Sequence, residues 1–126
     1  MTPTESARSA VLRWTEEVWN RGRLELVPTL VHDPYIRHEP DGSTHRFSME
    51  QSAARVVGGR EQFPDLLIDL QHIVAEGDFV TTHWVFRATG PAGEKLLQTG
   101  MELFRVADGK IAEVWTTLPF DGEWES

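Results

Sequence analysis

The spacing of apolar residues along the chain changes near Pro64. Before it they recur every three or four positions, the period of an amphipathic helix, and after it they alternate as in half-buried strands. Four β-rich runs lie at 66–75, 79–89, 96–106 and 111–118. Only short glycine-containing turns separate them, so the pattern predicts a long antiparallel meander.

The first half predicts three helices. Thr2 and Glu5 have the spacing of a capping box around Pro3, and the apolar stripe that follows predicts a helix over 3–20. Its members are Ala7, Val11, Trp14 and Val18.

A second, short helix is predicted over 24–31, with Asp33-Pro34 after its end. Pro28 must lie in the first turn of this helix or kink it. Residues 35–38 form a short strand candidate. A third helix is expected to begin at Ser48, and Gly58-Gly59 is expected to weaken it, with its end before Phe63-Pro64.

Helices followed by an antiparallel meander indicate an α+β fold, in a single domain over residues 1–126. A sheet of four long strands can curl around the helices as a cone. We therefore expect a ligand cavity between the helices and the inner face of the sheet.

The composition of the chain argues against several classes of binding partner, chemistry and localisation. With 20 acidic and 12 basic residues the net charge is -8, which argues against nucleic acid and anionic membranes as partners. The absence of cysteine excludes disulfides and thiolate catalysis. No apolar run is long enough for a membrane span, and no signal peptide is recognisable, so we expect a cytoplasmic protein.

Four segments together resemble the SnoaL-like polyketide cyclase family of the NTF2-like superfamily. They are VWNRG at 18–22, FPDL at 63–66, VAEGDFV at 74–80 and FRVADGKIAEVW at 104–115. The resemblance implies a cone-shaped α+β barrel, with three N-terminal helices on a curved antiparallel sheet. It also implies a homodimer that uses no metal or organic cofactor.

The same resemblance shows where this chain departs from its relatives. The cyclases are expected to carry an acid/base Asp on the last strand and a pocket His on the strand before it, which correspond here to Thr116 and Glu102. Epoxide-hydrolase relatives are expected to carry an Arg and an Asp on the second long strand and an Asp on the last strand. In this chain the corresponding positions hold Trp84, Phe86 and Thr116. A ketosteroid-isomerase base would lie near 38–40. Neither the cyclase nor the epoxide-hydrolase mechanism can be transferred unchanged.

Strand alternation then predicts the residues of the cavity. If Thr116 faces inward, Val114 does so too, and Glu102 and Phe104 face them from the neighbouring strand. The predicted substrate-binding residues are Trp19, Trp84, Phe86, Phe104, Val114 and Thr116.

Glu102 and His38 are the predicted catalytic residues. A carboxylate in an apolar cleft has a raised pKa, and a nearby His could share its proton, as general acid/base chemistry near neutral pH requires. The alternative is that Glu102 forms a structural ion pair with an arginine such as Arg55 or Arg87. A metal site at His32 and His38 is not predicted, because their spacing matches no compact motif.

The outer face of the sheet is also apolar, and Val85, Leu103 and Trp115 lie on it. Such a face usually marks an interface, which predicts a homodimer. The sequence thus favours a cofactor-free cyclase, isomerase or lyase acting by proton transfer on a hydrophobic carbonyl or polyketide-like ligand. The alternative is a non-catalytic ligand-binding or scaffold domain that has lost the family's catalytic Asp.

Overall fold

The structure is a computed structural model that describes residues 1–125. Helix α1, Pro3–Arg13, begins at the predicted capping box, where the Glu5 amide donates to the Thr2 hydroxyl at 3.1 Å. The chain then continues as a π-helical segment, Trp14–Trp19. The predicted helix over 3–20 is confirmed, with a wider winding in its last third.

Helix α2, Val27–Leu30, follows a short 3₁₀ turn, and helix α3, Met49–Gln62, starts at the predicted Ser48 cap. Helix α3 runs through Gly58-Gly59 and ends at Gln62, directly before Phe63-Pro64 as expected. A Cβ on Gly59 would lie 2.8 Å from Cζ3 of Trp19, so this glycine allows the indole to pack against the helix. Within residues 1–125 no helix is long and apolar enough to cross a membrane.

The four predicted long strands are present, with ends within a residue or two of those expected. Two short strands were not predicted, and the strand predicted at 35–38 begins earlier, so Asp33-Pro34 lies inside it. The strands are β1 Val31–His38, β2 Thr44–Phe47, β3 Leu67–Glu76, β4 Phe79–Thr89, β5 Lys95–Ala107, β6 Lys110–Thr116 and β7 Phe120–Asp121.

The strands form one sheet in the order β2-β1-β6-β5-β4-β3, and β7 pairs with β5 where β6 has ended. Only the β1–β6 pair is parallel. The α+β prediction of three helices on a curved, largely antiparallel sheet is confirmed, and the sheet is not closed into a barrel.

Helix α1 fills one end of the concave face of the sheet. Its predicted apolar stripe is fully covered, and Val11 and Val18 have no exposed surface. The stripe packs on residues from three strands of the meander: Val80, Phe104, Val106, Ile111 and Val114. At the other end of the concave face the apolar stripe of α1 does not cover the sheet, and the cavity lies there.

The two glycines of α3 provide a matched pair of substitutions. A Cβ added at Gly58 would meet nothing within 4 Å, so Gly58→Ala should raise the free energy of unfolding by about 0.5–1 kcal/mol through helix propensity. Gly59→Ala gains the same propensity but overlaps Trp19, and should be about 1–3 kcal/mol less stable than Gly58→Ala. Urea unfolding measures both, and equal stabilisation by the two changes would contradict this packing.

Candidate functional site

A cavity of about 860 Å³ lies between the helices and the concave face of the sheet. Most of its wall is apolar, formed by aromatic and aliphatic side chains, and eight of the lining residues are polar or charged. The aromatic residues that line it are Trp14, Trp19, Tyr35, Phe63, Trp84, Phe86 and Phe104. A site of this kind suits a hydrophobic ligand that a small number of polar groups orient.

The π-helical segment brings two of these aromatic residues together. The Asn20 amide donates to the Thr15 carbonyl at 3.0 Å, so residues five apart come onto one side of the helix. Trp14 and Trp19, also five apart, therefore both reach the cavity, and their rings meet edge to face at 6.3 Å.

Trp84 lies on β4 and has its own glycine contact. A Cβ on Gly100, its partner on β5, would overlap Cζ2 of Trp84, so the indole lies directly over the glycine backbone. Two residues on, Phe86 faces the same side and meets Phe63 edge to face at 5.4 Å. The aromatic wall thus depends on two glycines that leave room for the indoles.

Glu102 is the acidic residue deep in this cavity, opposite Thr82 on β4. Arg37 Nη1 lies 3.6 Å from its Oε2, an ion pair longer than a hydrogen bond, while Arg37 Nε donates to Glu39 at 2.9 Å. Burial raises the pKa of the Glu102 carboxyl, and the positive charges of Arg37 and Arg55 offset this only in part. Glu102 therefore holds a proton more readily than an exposed glutamate.

Tyr35 and Arg37 belong to the site, although neither is among the residues predicted from the sequence. Burial raises the pKa of Tyr35, so its hydroxyl stays protonated and can donate a hydrogen bond. Both side chains face inward from β1, two residues apart. The signal was available in the sequence: the face of β1 that holds the bulky Tyr35 should be the inner one, and Arg37 shares it.

The expected place of His38 in the cavity is wrong. It follows Arg37 on β1, so alternation turns it to the outer face, where it stacks on Trp115 at 5.0 Å. Its Nε2 bonds to Glu113 Oε2 at 2.5 Å, and Arg105 Nε donates to the other oxygen at 3.0 Å. His38 and Glu102 are therefore not brought together.

Two of the predicted binding residues also lie outside the cavity wall. Val114 is fully buried in the core beneath α1, because the helix covers this part of β6. The Thr116 hydroxyl donates to the His38 carbonyl at 3.1 Å, which ties β6 to β1. The other four predicted residues line the cavity: Trp19, Trp84, Phe86 and Phe104.

The residues weighed as metal ligands have other partners. His32 Nε2 lies 2.8 Å from the Ala107 carbonyl, and Glu39 is paired with Arg37. Across the 125 described residues, no group of three or more His, Asp or Glu side chains is arranged to hold a metal ion.

The outer face of the sheet is divided in two by the C-terminal segment. Val85, predicted to be exposed for dimerisation, is only 1% exposed. Its neighbour Thr99 donates to the Gly122 carbonyl at 2.6 Å, and Trp124 packs edge to face on His83, so the segment crosses this region. Leu103 is exposed and lies beside Trp115 on the uncovered part.

The family model for SnoaL-like polyketide cyclases matches residues 9–118. The chain belongs to this family. No curated protein gives a significant match to this SnoaL-like chain.

Solved structures show the same fold. A proposed polyketide cyclase from Acidithiobacillus ferrooxidans is 21% identical, with 94% of this chain and 91% of that one covered and a TM-score of 0.78. IdmH, a proposed polyketide cyclase from Streptomyces antibioticus, is 26% identical over 90% and 91% of the two chains, with a TM-score of 0.77. An LEH-like epoxide hydrolase from Mycobacterium tuberculosis is 17% identical over 90% and 83%, with a TM-score of 0.76.

This SnoaL-like protein therefore shares a fold with relatives described as enzymes. The position where the cyclases are expected to carry Asp holds Thr116, outside the cavity wall. The buried polar group is instead a Glu102–Arg37 pair, contributed by β5 and β1.

The raised pKa of Glu102 predicts a stability cost. In the folded protein the ionised form is disfavoured, so the contribution of Glu102 to stability should fall as pH rises above the ordinary glutamate value of 4.5. Glu102→Gln removes that charge and should be about 1 kcal/mol more stable than wild type at neutral pH, with the difference vanishing below pH 4. Urea unfolding across pH tests this, and a variant no more stable than wild type at neutral pH would contradict it.

Proposed function

We propose that this protein is a cofactor-independent enzyme that moves protons on a hydrophobic, carbonyl-bearing or polyketide-like molecule, as a cyclase, isomerase or lyase. The observation that supports this most directly is the Glu102 carboxyl, held in an aromatic cavity with a raised pKa. A general base near neutral pH needs such an environment, because desolvation strengthens its affinity for a proton.

The chemistry would begin with ionised Glu102 taking a proton from a carbon next to the ligand's carbonyl group. The electron pair of the broken C–H bond moves into the carbonyl and forms an enolate. The Tyr35 hydroxyl and the Arg37 guanidinium, on the neighbouring face of β1, can donate hydrogen bonds to the enolate oxygen. The enolate carbon then attacks a second carbonyl carbon in the same molecule, whose C=O π pair moves onto oxygen and takes the proton from Glu102; in an isomerisation, a conjugated carbon of the enolate takes that proton instead.

The aromatic wall supports a ligand with an extended flat or polyenyl body. Trp19, Trp84 and Phe86 offer aromatic rings to such a ligand, while Arg37 and Thr82 lie next to Glu102. Such a layout lets apolar contacts provide affinity and polar contacts provide orientation.

Deuterium exchange tests the proposal without requiring the natural substrate. Aromatic ketones and 1,3-diketones, including 2-tetralone, are incubated with the protein in D₂O, and loss of the α-proton signals is followed by NMR. Wild type should accelerate exchange for at least one compound. Glu102→Gln should slow it about 100-fold or more while changing the Kd by less than about threefold, because the change removes the base and keeps its shape.

Glu113→Gln is the matched control. It also removes a partly buried carboxylate that contacts an arginine, but one on the outer face. It should leave exchange within about threefold of wild type. Equal exchange rates in Glu102→Gln and wild type would reject Glu102 as the base.

The second candidate function is a non-catalytic binding domain. The favouring observation is that Glu102 lies beside Arg37, as in a structural ion pair, and has no histidine partner in the described part of the cavity. If this second function is correct, the aromatic ketones and diketones bind in the cavity, but none of them exchanges its α-protons for deuterium faster than it does in buffer alone.

We also propose that the uncovered part of the outer face binds a second copy of the chain. Three large apolar side chains are exposed there, Phe79 at 44%, Met101 at 48% and Leu103 at 39%. Trp115 lies beside them, against Phe79 and Leu103. A contiguous apolar surface of this kind suits a self-complementary dimer about a twofold axis.

Light scattering coupled to size-exclusion chromatography tests the dimer. Wild type should elute at twice the mass of the chain, and Leu103→Asp should shift it to the monomer at micromolar concentration, because the charge would be buried in the interface. Val57→Asp, which places the same charge on a partly exposed site of α3, should stay dimeric. A monomeric wild type would refute the dimer.

A further inference from the structure

Arg55 is a partly buried charged residue of the cavity that has no ionic partner among residues 1–125; Lys95, which is exposed, has none either. It reaches in from α3, and its guanidinium lies 4.8 Å from the ring centroid of Phe47 and 6.0 Å from that of Trp19. Within the same described range, no carboxylate lies within 4 Å of it and no hydrogen bond accepts from it. Arg37, by contrast, has both Glu39 and Glu102 as partners.

Arg55 is held in a place that disfavours its charge. Burial lowers the pKa of Arg55, and the nearby positive charge of Arg37 lowers it further. The guanidinium nevertheless stays protonated, with five N–H donors and a stacked position on two aromatic rings. An arginine that is desolvated, oriented and without an acceptor is complementary to an anion.

The charge of the cavity points in the same direction. The chain as a whole carries -8, yet the lining includes Arg37, Arg55 and Lys95 against Glu102 and Asp121. The lining side chains thus sum to a net charge of +1 within an acidic protein. Counted with Glu39, which pairs with Arg37, the group of Arg37, Arg55 and Glu102 is neutral while Glu102 is ionised and carries one positive charge when Glu102 is protonated. A low-dielectric, positively charged cleft attracts an anionic ligand.

We propose that Arg55 binds a carboxylate of the ligand, so that the ligand class is an aromatic or polyenyl carboxylic acid rather than its ester or amide. This inference rests on the proposed function only in taking the cavity as the ligand site. The planar fork of a guanidinium matches a carboxylate with two parallel hydrogen bonds. The remaining surface of the ligand would lie against the aromatic wall, with Trp19 next to the carboxylate.

The test compares two probes that differ in charge, 2-naphthoate and methyl 2-naphthoate. Their Kd values are measured by quenching of tryptophan fluorescence and checked by calorimetry at pH 7.5. Wild type should bind the acid at least about tenfold tighter than the ester, and the preference should shrink as salt rises. Arg55→Met should weaken the acid about tenfold or more and the ester less than about threefold.

Two further variants keep the result interpretable. Arg55→Lys, which keeps the charge and loses the fork, should retain part of the preference, and it covers the case in which Arg55→Met fails to fold. Arg46→Met removes one positive charge from exposed β2 and should leave the preference unchanged. A wild type without preference for the acid, or a preference that survives in Arg55→Met, would overturn the proposal.

This outcome is separate from that of the proposed function. Tight, Arg55-dependent binding of the acid without deuterium exchange would support the carboxylate site and reject the catalytic role of Glu102. Glu102-dependent deuterium exchange without a preference for the acid would support the catalytic role of Glu102 and reject the carboxylate site at Arg55.

Discussion

The packing of α1 on the concave face is the constraint from which the rest of the structure follows. The helix stripe from Ala7 to Val18 covers the end of the sheet where β4, β5 and β6 turn, and seals it completely. The same helix then widens into a π-helical segment and directs Trp14 and Trp19 toward the uncovered end. One continuous helical element therefore contributes side chains both to the core and to the roof of the cavity. A change in how it packs on the sheet also moves the residues that line the cavity.

Glu102 is placed at the boundary between these two regions. Phe104, two residues further along β5, packs into the core, and Gly100, two residues back, supports Trp84 in the cavity. The carboxyl is thus removed from bulk water by the core on one side and by aromatic rings on the other. The environment of the Glu102 carboxyl is therefore set by the point at which α1 and its π-helical extension cease to cover the concave face of the sheet. No single neighbouring group accounts for it.

Most of the fold could be predicted from the sequence, because the spacing of apolar residues and the residues of the turns are local signals. The capping boxes at Thr2 and Ser48 and the glycine turns of the meander act within a few residues. The site was harder, because it depends on which side of β1 faces inward. That strand is short and polar, so assigning its face by resemblance placed His38 in the cavity, whereas the packing of Tyr35 puts Arg37 there. The Gly59 contact with Trp19, which spans 40 positions in sequence, carries no local signal at all.

The two indole–glycine contacts also decide how this cavity can change in evolution or in the laboratory. Its floor and one wall are backbone at Gly59 and Gly100, covered by the rings of Trp19 and Trp84. A smaller side chain at either tryptophan would deepen the cavity down to the main chain. A larger residue at either glycine would instead push an indole out of its place. Single substitutions at the two tryptophans therefore favour larger ligands, whereas substitutions at the two glycines change the cavity by displacing an indole that lines it.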